Sequence, residues 1–191
     1  GPRVRRLFIL MGPGILGAGV YQINVLVGVR LASELPEGSI SFLYFADRVN
    51  QLPLGVVGAA VGVALLPLLS RQLRAGDVAS ARDSQNRAIE FAMLLTVPAA
   101  AALVVIAGPV ITILFQRGAF DAADATATAA ALAAFALGLP AYVLVKALAP
   151  GFFAREDTAT PVKIAAAALV LNVVAALALM PSFAHVGIAL A

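Results

Sequence analysis

Arg48 is a fixed positive charge inside an apolar stretch. Between Ser39 and Ser70 the only other charged residue is its neighbour Asp47. An arginine at membrane depth costs about 2.5–3.5 kcal/mol on insertion scales, so such residues face a polar cavity, a ligand path or a partner. Two readings follow: Arg48 contacts an anion, or it forms an ion pair that holds a helix bundle together. On a helical wheel Asp47 points about 100° away, so the two need not pair. Gln51, Gly55 and Gly62 share the Arg48 face. Lys146, one turn beyond Tyr142, is a second candidate cation; it either faces a cavity or snorkels to the membrane surface. Asn24 lies on a stripe with Gly17, Tyr21 and Gly28 that faces a neighbouring helix or a wet cavity. Two cations on one cavity suit an anionic substrate, and arginine suits phosphate because its planar fork donates paired hydrogen bonds. No carboxylate pair and no Ser/His/Asp set accompanies them. This points to transport or binding rather than catalysis, with no cofactor.

The elements that must position these residues are membrane helices. Of 191 residues, 62% are hydrophobic and 12% charged, against about 25% charged in soluble domains. A water-soluble fold of this size cannot hide so much apolar side chain, so lipid must solvate it. The chain has no cysteine and a single histidine, His185, which leaves no disulfide framework and no metal cluster. The net charge is +3, but the basic residues are dispersed through the loops. Nucleic-acid binding needs them clustered on one face.

Five uncharged runs approach or exceed the roughly 20 residues that cross a bilayer: 7–29, 49–70 (extending back to 39), 91–115, 125–145 and 164–183. A sixth starts near residue 186. All are expected to be helical, because backbone groups in lipid must be satisfied within the segment. Arg3, Arg5, Arg6, Arg71, Arg74, Arg82, Arg87, Arg155 and Lys163 fall in alternate loops; Arg117, with Arg30 at a loop edge, falls in the others. The positive-inside rule places the first set in the cytoplasm. No signal-peptide pattern precedes the first run, and the chain is read as an internal piece of a longer membrane protein. The charge-dense segment 71–90 reads as a solvated connector, or as a short interfacial helix. Gly12-Pro13-Gly14, Pro53 and Pro67 predict bends. Gly58-Ala-Ala-Val-Gly62 permits close helix approach, and Asn172 suits a helix–helix hydrogen bond. Arg48 lies about 14 Å inside its helix if that helix begins at Ser39.

Several motifs together resemble one family. They are Met11-Gly-Pro-Gly-Ile-Leu-Gly through Gln22-Ile-Asn24, Gly38-Ser-Ile-Ser-Phe-Leu-Tyr44-Phe-Ala-Asp47-Arg48 with Leu52-Pro53-Leu-Gly55, and Pro67-Leu-Leu-Ser70. Leu114-Phe-Gln-Arg117-Gly-Ala-Phe120, Val145-Lys146-Ala-Leu-Ala-Pro150-Gly-Phe152 and Arg155-Glu-Asp157-Thr-Ala-Thr-Pro161-Val-Lys163 continue the series in order. The whole chain resembles the second lobe of the MurJ/MviN lipid II flippases, of the multidrug/oligosaccharidyl-lipid/polysaccharide exporter superfamily. The resemblance implies an all-α polytopic bundle, residues 1–191 forming one lobe from span seven to about span twelve, the last truncated. It implies a multi-pass protein of the bacterial cytoplasmic (inner) membrane that moves undecaprenyl-diphosphate-linked lipid II to the outer leaflet by alternating access. Membrane lipids and the missing first lobe are its implied partners. Arg48 matches the family's cavity arginine, thought to engage the diphosphate, and Lys146 the lysine of its Lys-x-Leu-Ala-Pro-Gly-Phe segment. Gln51 and Asn24 complete the expected substrate-binding set. Where sodium-binding members carry acidic groups on spans seven and eleven, this chain has Asn24 and Asn172. The alternatives are a polysaccharide-lipid or multidrug exporter of the same superfamily, a polyprenyl-phosphate enzyme, for which Asp47 is the only interior carboxylate, or a scaffolding segment.

Overall fold

The computed structural model describes residues 19, 20 and 22–191, apart from the side chains at positions 59 and 62. Most of the first expected span, its Gly12-Pro13-Gly14 bend and the positions of Gly17 and Tyr21 lie outside the described residues. The described chain is helical: α1 (Gln22–Ala32), α2 (Ser39–Arg74), α3 (Val78–Phe115), α4 (Ala122–Phe153) and α5 (Ala159–Leu190). Among the described residues, α2 to α5 are long and apolar enough to cross a membrane.

The helix starts follow from local chemistry. The Asp121 carboxylate accepts from the amides of Ala123 and Asp124 at 2.8 and 2.9 Å, while Asp124 accepts from the Asp121 amide at 3.1 Å. This reciprocal capping box satisfies donors that the first turn of α4 leaves free. Asp77 caps α3 by accepting from the Ser80 amide at 2.9 Å. That amide, and then the Ser80 hydroxyl, hold the Asp77 carboxyl below its ordinary pKa. Its folded value is therefore lower than its unfolded one. The cap contributes fully above the unfolded value and is lost as pH falls through the folded one. Gly38 enters α2 at φ 92°, a left-handed conformation that glycine adopts without penalty.

The charge-dense segment 71–90 is neither a connector nor a separate interfacial helix. Helix α2 continues to Arg74, three residues turn, and α3 begins at Val78. Ala81, Ala88, Ile89 and Ala92 form a helical stripe that packs into the same cluster as Leu65, Leu69 and Leu73 of α2. Gln72 Nε2 donates to Ser84 Oγ across the two helices at 2.9 Å. The density of charge on the opposite face masked this amphipathic continuation.

Two core clusters set the topology. One joins Ala46 and Val49 of α2 to Ala107 and Ile111 of α3 and to Ala125, Ala131 and Leu132 of α4. The other joins Val57, Val61, Leu65 and Leu69 to Ala81 and Ala92 and to Val143 and Ala147. Helices α2 and α4 therefore run parallel, with α3 antiparallel to both. Helix α5 lies on the outside, with Val170, Leu171 and Val174 well exposed.

The sixth run starts with a sharp reversal. Ala184 breaks α5 at φ 49°, ψ −129°. A Cβ built on Gly187 would lie 2.7 Å from the Leu179 carbonyl carbon. Eight residues of straight helix would separate these positions by about 12 Å, so the chain has turned back on α5. His185 Nε2 lies 3.0 Å from the Ala127 carbonyl oxygen, and its ring meets Phe42 edge-on, fixing the turn to α4 and α2. Backbone, unlike a flexible side chain, cannot move aside for a methyl group. Gly187→Ala is expected to destabilise the protein by about 1–3 kcal/mol, seen as a lower thermal midpoint in detergent.

Candidate substrate-binding face

Tyr44, Asp47, Arg48 and Gln51 occupy consecutive turns of α2, and their side chains form one chain of contacts. The Arg48 guanidinium carbon lies 4.8 Å from the Tyr44 ring centroid, a cation–π stack across four residues. Arg48 Nη1 donates to Gln51 Oε1 at 3.4 Å. Gln51 Nε2 in turn donates to the Asp47 carboxylate. The charges at either end dictate the amide's orientation, oxygen to the guanidinium and nitrogen to the carboxylate. Asp47 thus reaches Arg48 through Gln51, not by direct ion pairing. The spacings 47/51 and 48/51 are the sequence signal for this link, which a wheel comparison of Asp47 with Arg48 alone misses.

Arg48 is exposed in this chain. Guanidinium carries five N–H donors, and among the described residues its one long bond, to Gln51, leaves most of them unused. The stack on Tyr44 restrains the planar fork without using those donors. Gln51 is half-buried and held by its own helix at both ends of its amide, so its geometric effect is to orient Arg48.

Lys146 stands elsewhere, exposed on α4 where that helix meets α2. Its methylene stem crosses α2 at Gly58, where an added Cβ would come 2.5 Å from Cδ. Gly58 lies ten residues beyond Arg48 in α2, about 15 Å along the axis. The structure therefore does not bring Arg48 and Lys146 to a single point. A groove of about 360 Å³ opens beside Lys146, lined by Gly58, Val63, Leu66, Pro150 and Phe153 among others. Tyr142, one turn before Lys146, is also exposed on α4. Asn24 lies apart on α1, half-buried, with its carboxamide oxygen shielded and without a hydrogen-bond partner among the described residues. Asn50, adjacent to the contact chain, is 3% exposed, and its carboxamide oxygen is likewise unpartnered among the described residues.

The family model described as "Lipid II flippase MurJ" matches residues 1–191. A probable lipid II flippase MurJ of Rhizobium tropici is 50% identical over 190 residues, covering 100% of this chain and 36% of the relative. The lipid II flippase MurJ of Burkholderia cenocepacia is 35% identical, covering 99% of this chain and 37% of the relative. The chain thus spans little more than a third of the length of the relatives it matches. Among solved structures, a lipid II flippase MurJ in an inward closed conformation superposes with a TM-score of 0.84 at 27% identity, over 93% of this chain and 38% of that one. A transporter of the multidrug/oligosaccharidyl-lipid/polysaccharide superfamily from Pyrococcus furiosus shares the fold at a TM-score of 0.82 and 16% identity, over 97% of this chain and 40% of that one.

Gln51→Leu removes the donor that Asp47 uses and leaves a half-buried carboxylate without it. The expected cost is about 1–3 kcal/mol, measured by thermal unfolding in detergent. Tyr44→Phe keeps the ring under the guanidinium and is expected to leave the midpoint unchanged.

Proposed function

The chain belongs to the lipid II flippase MurJ family, and from that premise we propose that residues 1–191 form the second lobe of a transporter that moves lipid II across the bacterial cytoplasmic membrane. The lobe covers spans seven to about twelve and works against a first lobe elsewhere in the full-length protein. The cargo is an anionic diphosphate carrying a disaccharide peptide at one end and a polyprenyl tail at the other. Alternating access exposes the site first to the inner leaflet and then to the outer one. Bent helices accompany such motion, and α2 carries two prolines, Pro53 and Pro67.

The observation that carries this reading is the state of Arg48. It is exposed on α2, its fork held by Tyr44 and Gln51, with donors to spare among the described residues. Asp47 bonds to Gln51 and not to Arg48 directly, so no carboxylate closes off the guanidinium among the described residues. Arg48 engages the diphosphate through paired charge-assisted hydrogen bonds. Lys146, about 15 Å away along α2, neutralises the same group at another point of its passage, nearer the cytoplasmic end. Gln51 orients Arg48, and Asn24 offers a carboxamide to the polar head of the cargo.

The test is restoration of outer-leaflet lipid II in cells depleted of their own flippase, using the full-length protein at matched expression. Wild type is expected to restore flipping, and Arg48→Ala to lower it by at least about tenfold, the loss of one charge-assisted contact. Arg48→Lys keeps charge without the fork and should fall between. Wild-type flipping by Arg48→Ala would make Arg48 structural. No restoration by the wild-type protein would point to a different lipid-linked cargo.

A further inference from the structure

Gly58 has a task of its own on the face of α2 that meets Lys146. The sequence reads it as half of a Gly-x-x-x-Gly motif for close approach of helix backbones. In the structure, the three atoms nearest to a Cβ at Gly58 all belong to the Lys146 side chain: Cδ at 2.5 Å, Cε at 3.3 Å and Cγ at 3.8 Å. Carbon atoms pack favourably at about 3.5–4.0 Å. The space that a side chain would fill at position 58 is therefore occupied by the lysine stem.

We infer that Gly58 is a positioning residue for Lys146, a notch in α2 that seats the lysine stem and fixes where its ammonium is presented. The inference rests on the reading of Lys146 as a cargo-contacting cation. Lysine at a membrane helix end ordinarily snorkels to the nearer surface. Lys146 lies two turns before the cytoplasmic end of α4 at Phe153. Side chains lean toward the N-terminus of their helix, and in α4 that direction leads away from the cytoplasmic rim. Gly58 completes this bias by letting the stem lie flat across α2. The ammonium is then held against α2, the helix that also carries Arg48. Any larger residue at 58 lifts the stem off α2. Rotation about the flexible lysine bonds relieves the clash at little cost, so helix packing survives while the charge moves.

The experiment uses the full-length protein reconstituted with lipid II and compares Gly58→Ala, Lys146→Ala and the double variant. Flipping is followed against lipid II concentration, alongside the thermal midpoint. Gly58→Ala is expected to raise the apparent KM about tenfold, with turnover at saturation and the thermal midpoint retained. Lys146→Ala is expected to raise it at least as much. In the Lys146→Ala background there is no stem to displace, so adding Gly58→Ala should change nothing further, the signature of full coupling in a double-mutant cycle. A wild-type KM for Gly58→Ala, with Lys146→Ala impaired, overturns the positioning role and leaves the cation reading standing. The same penalty for Gly58→Ala in both backgrounds overturns it too, and makes Gly58 a packing residue. Wild-type behaviour of Lys146→Ala removes the cation reading and the positioning role with it.

Discussion

Helix α4 is the member on which the others depend, and what it supplies is closeness. In lipid, helices gain little from burying apolar surface, because the tails outside are as apolar as the side chains inside. Association rests instead on van der Waals contact, which small residues make dense. The buried positions of α4 are dominated by such residues: Ala125, Thr128, Ala131, Ala134, Ala136, Ala147 and Gly151. Leu132, Leu139 and Val143 fill the remaining gaps and are fully buried. Both core clusters draw on α4, one at each end. Its polar contacts follow the same rule: Gly151 leaves room for the Gln85 side chain, whose Nε2 donates to the Leu148 carbonyl at 3.4 Å. The Lys146 stem can lie on Gly58 only because this packing has already brought α4 against α2.

Around that hub, the polar groups are arranged so that charge is held without being cancelled. A guanidinium in a poorly solvated setting needs partners, and a direct carboxylate pair would engage two of its donors and neutralise its charge. The amide of Gln51 separates the two charges by one side chain. The Tyr44 ring adds an attraction that uses the face of the guanidinium and spares its edge. The carboxylate still contributes, because it fixes the amide that orients the arginine. Both charges are thereby held within two turns of one helix without a direct ion pair.

The places of α2 to α5 are legible in the sequence because each is written in an uninterrupted apolar run. Arg48 stands out for the same reason, as a charge where lipid tolerates few. Helix lengths are less legible. The α3 start at Val78 lies among Arg82, Asp83 and Arg87, and charge near a membrane surface looks the same on a helix as on a loop. Asp77 as a cap, with apolar positions at 81, 88, 89 and 92, is the signal that distinguishes them. Gly58 shows a different limit: a glycine marks a place where something approaches closely, but its identity depends on how α4 is set against α2. The roles of Gln51 and Asp47 lie between these cases, since helical spacing alone puts them within reach of each other.

The reversal at Ala184 also bears on how such a protein is built. A helix that turns back within a few residues, with Gly187 against the carbonyl of Leu179, has no slack in its connection. Its two arms cannot swing apart without breaking the contact that defines the turn. The segments on either side of Ala184 are therefore tied to each other at the turn itself. His185 is the peg that holds the tip of the turn against α2 and α4.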